Sequence, residues 1–102
     1  MKQGKIIDFY TGSTLKENEI SLDHVIPWSF MYSDDIWNLV ITSKSNNSRK
    51  SDSIPSKNII KRLEDRNIEL LNDIPQTSKY YKELKQAIDN NYVEKFYFSL
   101  KL

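Results

Sequence analysis

The sequence predicts an α+β fold, with short strands in its first half and helices in its second. Two patterns carry that expectation. Three runs rich in β-branched and aromatic residues, KIIDFY (5–10), ISLDHV (20–25) and NLVIT (38–42), are separated by turn-forming segments. After Pro55, apolar residues recur at the three- and four-residue steps of amphipathic helices. A chain of 102 residues suits a single domain with a modest core.

The elements follow in order. Residues 5–10 read as a strand closed by the turn signal Thr11-Gly12-Ser13. Residues 20–25 read as a second strand, ended by Pro27. Residues 28–37 form a loop with two tryptophans and two acids, with room for one helical turn. Residues 38–42 read as a third strand. Residues 43–50 are polar throughout and predict a short exposed helix with Ser43 as N-cap. Pro55-Ser56 opens a longer helix whose apolar face is Ile60, Leu63, Ile68 and Leu71. Pro75 separates it from a further helix, capped by Thr77 or Ser78, with Tyr80/Tyr81, Leu84 and Ala87/Ile88 on one side. The tail VEKFYFSLKL fits helix or strand. Residues 1–55 are expected to form the functional core. Residues 56–102 are expected to be a helical extension packed on it, within one compact domain.

Composition narrows the classes. Six Tyr, four Phe and two Trp provide area for a core. No apolar run approaches the ~18 residues of a membrane span, and the N-terminus lacks the apolar core of a secretory signal. The absence of cysteine excludes disulfides and thiolate zinc sites; a cytoplasmic protein is the simplest reading. The net charge of +1 hides a split: residues 1–40 carry −3, residues 41–62 carry +5, and residues 63–102 carry −1. The basic segment, with Lys44, Arg49, Lys50 and Lys57, can face an anionic partner or be an ordinary solvated surface.

The chemistry concentrates between residues 20 and 50. The single histidine, His24, follows Asp23 at the end of a strand; Asn38 opens the next strand; Asn46 and Asn47 lie on the polar helix. A hairpin with the helix folded back across it would bring together a carboxylate, an imidazole and a carboxamide oxygen. Mg²⁺ takes oxygen ligands, often only one or two from protein, and Asp23 with Asn47 could supply that pair. A neutral imidazole, with an unperturbed pKa of ~6.5, can accept a proton from water. Neighbouring residues on a strand face opposite ways, so Asp23 and His24 would approach a phosphate from different directions. Each residue also has a plain structural explanation: a hydrogen-bonded His, a turn Asn, a solvated helix face. Their joint occurrence in about 30 residues favours the chemical one.

The stretch DHVIPWSFMYSDDIWNLVITSKSNNSRKSD resembles the HNH nuclease motif of the ββα-metal, or His-Me finger, fold. It is especially similar to the HNH domain within RNA-guided CRISPR effector nucleases, and to stand-alone HNH endonucleases. The matching pieces are Asp23-His24 with Ile26-Pro27, then Trp37-Asn38-Leu39-Val40, then Asn47 with Lys50-Ser51-Asp52, and upstream the turn Tyr10-Thr11-Gly12. The spacings of 15 positions from Asp23 to Asn38 and 9 from Asn38 to Asn47 fit the family. The resemblance implies a ββα-metal core with a short N-terminal strand and supporting C-terminal helices. It implies that His24 is the general base and that Asp23 and Asn47 hold a divalent metal, Mg²⁺ or Mn²⁺. Asn38, grouped with His24 in the catalytic set, steadies the long loop, and Lys50 lies near the phosphate. The reaction implied is metal-dependent hydrolysis leaving 5′-phosphate and 3′-hydroxyl ends. Relatives with two Cys-x-x-Cys pairs bind a structural zinc; none is expected here, so Phe9-Tyr10 packing and the C-terminal helices must hold the motif.

The expected partner is DNA rather than RNA, with no membrane. The basic run can supply phosphate contacts, which position without specifying sequence. Other domains of a larger nuclease, or a second copy of the chain, would complete a double-strand break. The alternative is an inactive nucleic-acid-binding module on the same scaffold.

Overall fold

The computed structural model describes residues 5–50 and 54–100, with the side chains of residues 48–50 outside the description. It is an α+β structure consistent with the ββα-metal fold. The N-terminal strand is shorter than its apolar run suggests. β1 (Ile6–Ile7) pairs antiparallel with β2 (Thr14–Leu15). The strand stops because the Asp8 carboxylate accepts the Tyr10 N–H at 2.9 Å, a side-chain turn that competes with the sheet ladder. Gly12, at φ +78°, occupies the left-handed position of that turn, which costs glycine little.

β3 (Ile20–His24) and β4 (Leu39–Ser43) form an antiparallel hairpin running from Ile20 opposite Ser43 to His24 opposite Leu39. The connection holds one short helix, α1 (Trp28–Met31), and a 3₁₀ turn at Ile36–Asn38. Asn38 therefore ends a turn instead of opening the strand. α2 (Lys44–Lys50) leaves β4 directly. The Ser43 hydroxyl accepts the Asn46 N–H at 3.0 Å, the bond expected of an N-cap. The N-terminal segment closes on the hairpin edge, with Phe9 N–H donating to Ile41 O at 2.9 Å.

Three helices complete the structure: α3 (Lys57–Asp73), α4 (Lys79–Asp89) and α5 (Tyr92–Leu100). Ser56 caps α3 through the Ile59 N–H, and Ser78 caps α4 through the Tyr80 N–H. The ambiguous tail is thus a helix. The face of α3 differs from its apolar pattern: Ile60, Leu63 and Asn67 are buried, whereas Ile68 is 51% exposed. A polar residue replaces the apolar one because Asn67 Nδ2 donates to Trp37 O at 3.0 Å, satisfying a buried carbonyl.

One core joins the halves. Val25, Ile26, Trp37 and Val40 of the hairpin pack with Ile60, Leu63, Leu84, Ala87, Val93 and Tyr97 of the helices. Trp37 is stacked by Phe96 at 5.5 Å between ring centroids and met edge-on by Tyr92 at 6.0 Å. Among the described residues, no helix is long and apolar enough to cross a membrane.

Candidate active site

Asp23 lies one residue before the end of β3, opposite Val40, and is 7% exposed. The Tyr10 hydroxyl donates to its Oδ2. Burial, then the hydrogen bond and charge of Asp23, push the Tyr10 phenol far above its ordinary range, so it remains a donor. A buried carboxylate is costly without such a partner. Tyr10 thus orients one oxygen of Asp23.

Asn47 reaches the same strand from α2. Its Nδ2 donates to Ser21 Oγ at 2.7 Å and to Leu22 O at 3.2 Å. A backbone carbonyl only accepts, so the amide nitrogen must face Leu22. That turns the carboxamide oxygen, the atom able to ligate a hard cation, the other way. Ser21 and Asp23 are two apart on β3 and share a face. Asn47 and Asp23 are therefore brought to one side of the strand. Two oxygen ligands of this kind suit Mg²⁺, which keeps several waters and bridges to substrate phosphates. Among the described residues, no three His, Asp or Glu side chains converge as a metal cluster. The fit is to a two-ligand site rather than to a closed structural one.

His24 ends β3 and points away from Asp23 by strand alternation. Its Nε2 lies 2.7 Å from Asp34 Oδ1, a residue of the loop after α1. The side chain of His24 is 25% exposed and that of Asp34 is 74% exposed. The imidazole is thus reachable from solvent, on the opposite side of the strand from the Asp23 carboxylate.

Asn38 is fully buried. Its Oδ1 accepts from Ile26 N at 2.8 Å, and its Nδ2 donates to Ile26 O at 2.9 Å. Its backbone carbonyl accepts from Val25 N at 3.0 Å. The side chain acts as one more rung of the ladder and pins the backbone directly after His24. Glu83 of α4 accepts the Ile36 N–H at 2.9 Å and caps the 3₁₀ turn that delivers Asn38.

Asn46 faces the other way from Asn47. Its Nδ2 donates to Asp8 Oδ2 at 2.7 Å, while Thr42 Oγ1 donates to Asp8 Oδ1 at 2.9 Å. Burial works to raise the Asp8 pKa, but the bonds from Tyr10, Thr42, Asn46 and Thr11 outweigh it and hold the carboxyl below its ordinary value. This clasp ties the N-terminal turn to β4 and α2.

Lys44, on α2, is exposed. Lys57 is also exposed and lines a groove between α3 and α5 with Lys61, Glu64 and Glu94. The side chains of Arg49 and Lys50, both expected to contact phosphate, lie outside the described residues. Arg62, one of the cations of the basic run, is engaged internally. It donates to Phe9 O and to Tyr10 O, and its guanidinium sits 5.1 Å from the Phe9 ring centre.

Sequence reasoning missed Asp8, Asp34 and the tyrosine hydroxyl on Asp23. Tyr10 was visible only as part of a turn, and Asp34 only as one of two loop acids. Their partners are 13 and 10 positions away, beyond the reach of local periodicity.

Comparisons with known proteins found a family and relatives of similar sequence. A family model described as HNH endonuclease matches residues 8–56. The CRISPR-associated endonuclease Cas9 of Streptococcus mutans serotype c is 34% identical over 83 residues, covering 78% of this chain and 6% of that protein. The CRISPR-associated endonuclease Cas9 of Listeria innocua serovar 6a is 37% identical over 65 residues, covering 61% of this chain and 5% of that protein. The chain thus spans a small part of the relatives' length, and the family match at residues 8–56 includes the hairpin, α2, Asp23, His24, Asn38 and Asn47 but not Lys57. Through residues 8–56 the chain belongs to the HNH endonuclease family, with similarity to the HNH region of Cas9 proteins.

Proposed function

We propose that the chain is a metal-dependent DNA endonuclease domain that works within a larger nuclease. The observation that carries this reading is the pair Asp23 and Asn47 on one side of β3, each oriented by a protein hydrogen bond, with the only imidazole at the next residue. Asp23 and Asn47 would hold a divalent cation, Mg²⁺ or Mn²⁺; bound there, it would withdraw charge from the scissile phosphate and stabilise the departing oxygen. His24 takes a proton from water, and the resulting hydroxide attacks phosphorus. The bond to the 3′ oxygen breaks, leaving a 5′-phosphate and a 3′-hydroxyl. Asn38 fixes the backbone after His24 so that the base keeps its aim, and Tyr10 fixes the Asp23 carboxylate. Lys44, Arg49, Lys50 and Lys57 are the phosphate-contacting cations of this reading. The small share of the Cas9 relatives that the chain spans supports a domain delivered to DNA by other parts.

The test is nicking of supercoiled plasmid with Mg²⁺ or Mn²⁺, against EDTA and against His24→Ala. The expected result is metal-dependent nicking that falls ~10²- to 10⁴-fold in the variant, the usual contribution of a general base. A single-stranded RNA run in parallel checks the choice of DNA. Plasmid binding with no cleavage by wild type under any metal would instead support the inactive binding module.

A further inference from the structure

The contact between His24 and Asp34 joins a strand end to a loop that no motif residue occupies. An ionised carboxylate has no hydrogen to give. At 2.7 Å from Asp34 Oδ1, Nε2 must therefore be the protonated nitrogen of the ring. A neutral imidazole carries one ring proton, so the basic lone pair is then on Nδ1. The carboxylate also occupies the position at Nε2 that a reacting water would need.

The loop is built to bring Asp34 there. α1 ends at Tyr32, whose backbone is left-handed at φ 54° and whose N–H returns to Trp28 O at 2.7 Å. A non-glycine residue adopts that conformation against a steric cost, and it reverses the chain. The Ser33 hydroxyl then donates to Asp35 at 3.0 Å, and Asp35 O accepts the Asn38 N–H at 3.0 Å. Asp34 is thus set between a fixed reversal and the Asn38 anchor.

We propose that Asp34 is a positioning residue for His24: it holds the ring proton on Nε2 and so presents Nδ1 as the atom that takes the proton from water. This rests on the reading of His24 as the base. In the step, a water O–H bond breaks and its proton goes to Nδ1. The ring becomes an imidazolium whose charge faces the Asp34 carboxylate, and the hydroxide goes to phosphorus. An exposed pair of this kind adds little to folding stability. Its effect is on tautomer and ring orientation.

The chain has a single histidine, so ¹⁵N NMR of the imidazole reads one ring only. The spectrum is taken on wild type, Asp34→Ala and Asp34→Asn at a pH where the ¹⁵N shifts themselves show a neutral ring. The expected wild type shows one tautomer, protonated at Nε2, with that proton protected from exchange. Asp34→Ala should give mixed tautomers and a fast-exchanging proton, with the rest of the spectrum unchanged. Asp34→Asn, whose amide oxygen still accepts, should restore the wild-type signal. Nicking by Asp34→Ala should fall at least several-fold in kcat with KM unchanged, and Asp34→Asn should recover part of it. A proton on Nδ1 in wild type, or an Nε2 proton equally protected in Asp34→Ala, overturns the proposal. If the NMR pattern holds while His24→Ala nicks as fast as wild type, the base assignment itself is wrong and the proposal falls with it. If nicking needs His24 but Asp34→Ala changes neither rate nor proton, the proposal alone fails.

Discussion

Asp23 and His24 are adjacent in the chain, yet their surroundings differ in kind. Asp23 is buried with the Tyr10 hydroxyl on Oδ2; His24 is partly exposed with a carboxylate on Nε2. Strand alternation alone separates them. Removing the hydroxyl in Tyr10→Phe takes one charge-assisted bond from a buried carboxylate, a loss of about 1–3 kcal/mol. The carboxylate would also lose its fixed orientation. In the nuclease reading, the Mg²⁺ concentration for half-maximal nicking should rise in Tyr10→Phe, as a metal titration would show. An unchanged requirement would mean that Tyr10 does not orient a ligand. Asn38→Ala leaves both Ile26 N and Ile26 O unpaired in the core, at about 1–3 kcal/mol for each group. Urea unfolding should register that loss even with no DNA present.

The ββα unit is closed at the scale of elements by Asp8. One carboxylate there receives the Tyr10 N–H, the Thr42 hydroxyl and the Asn46 amide, linking the first turn to β4 and α2. The folded-state pKa of Asp8 is below its unfolded value of 3.8. The stability it contributes is therefore full above that value and is lost as pH falls through the lower folded pKa. Asp8→Asn should be less stable at neutral pH and should show a shallower loss of stability on acidification below about 4. Thermal melts across that range check both signs. If the two proteins lose stability in parallel as pH falls, Asp8 is not the linked group.

The helices act at the scale of the whole molecule by gripping the segments on either side of the site. Arg62 holds the carbonyls of Phe9 and Tyr10, while Arg66 and Asn67 hold those of Ile36 and Trp37. Burial pushes the Arg66 guanidinium down to about 10, still charged at neutral pH. Trp37 carries the contact in the other direction, 1% exposed beneath Phe96 and Tyr92. We therefore expect residues 1–55 alone to fail to fold, because the hairpin would expose Val25, Ile26, Trp37 and Val40 to water. Far-UV circular dichroism of that fragment against the full chain tests it; a native-like hairpin signal would show the core to be autonomous. Trp37→Ala in the full chain should cost about 3–5 kcal/mol, the usual range for removing a buried aromatic.

The sequence by itself determined the element types of the hairpin and of the helices before the tail, and the order Asp23, His24, Asn38, Asn47. Alternation, helical period, capping serines and prolines are local signals, and an ordered motif is a one-dimensional object. Ser43, Ser56 and Ser78 cap as their positions suggest, and the strand spanning His24 lies within one residue of its expected end. Only the tertiary structure decided who holds those residues. Apolar period placed Ile68 on the face of α3, yet Asn67 is buried there because a carbonyl 30 positions away needed a donor. The single imidazole could be found by reading the chain. Its Asp34 partner, the Tyr10 hydroxyl on Asp23 and the Asp8 clasp could not, because each depends on a loop or turn closing in space, and sequence spacing carries no record of that closure.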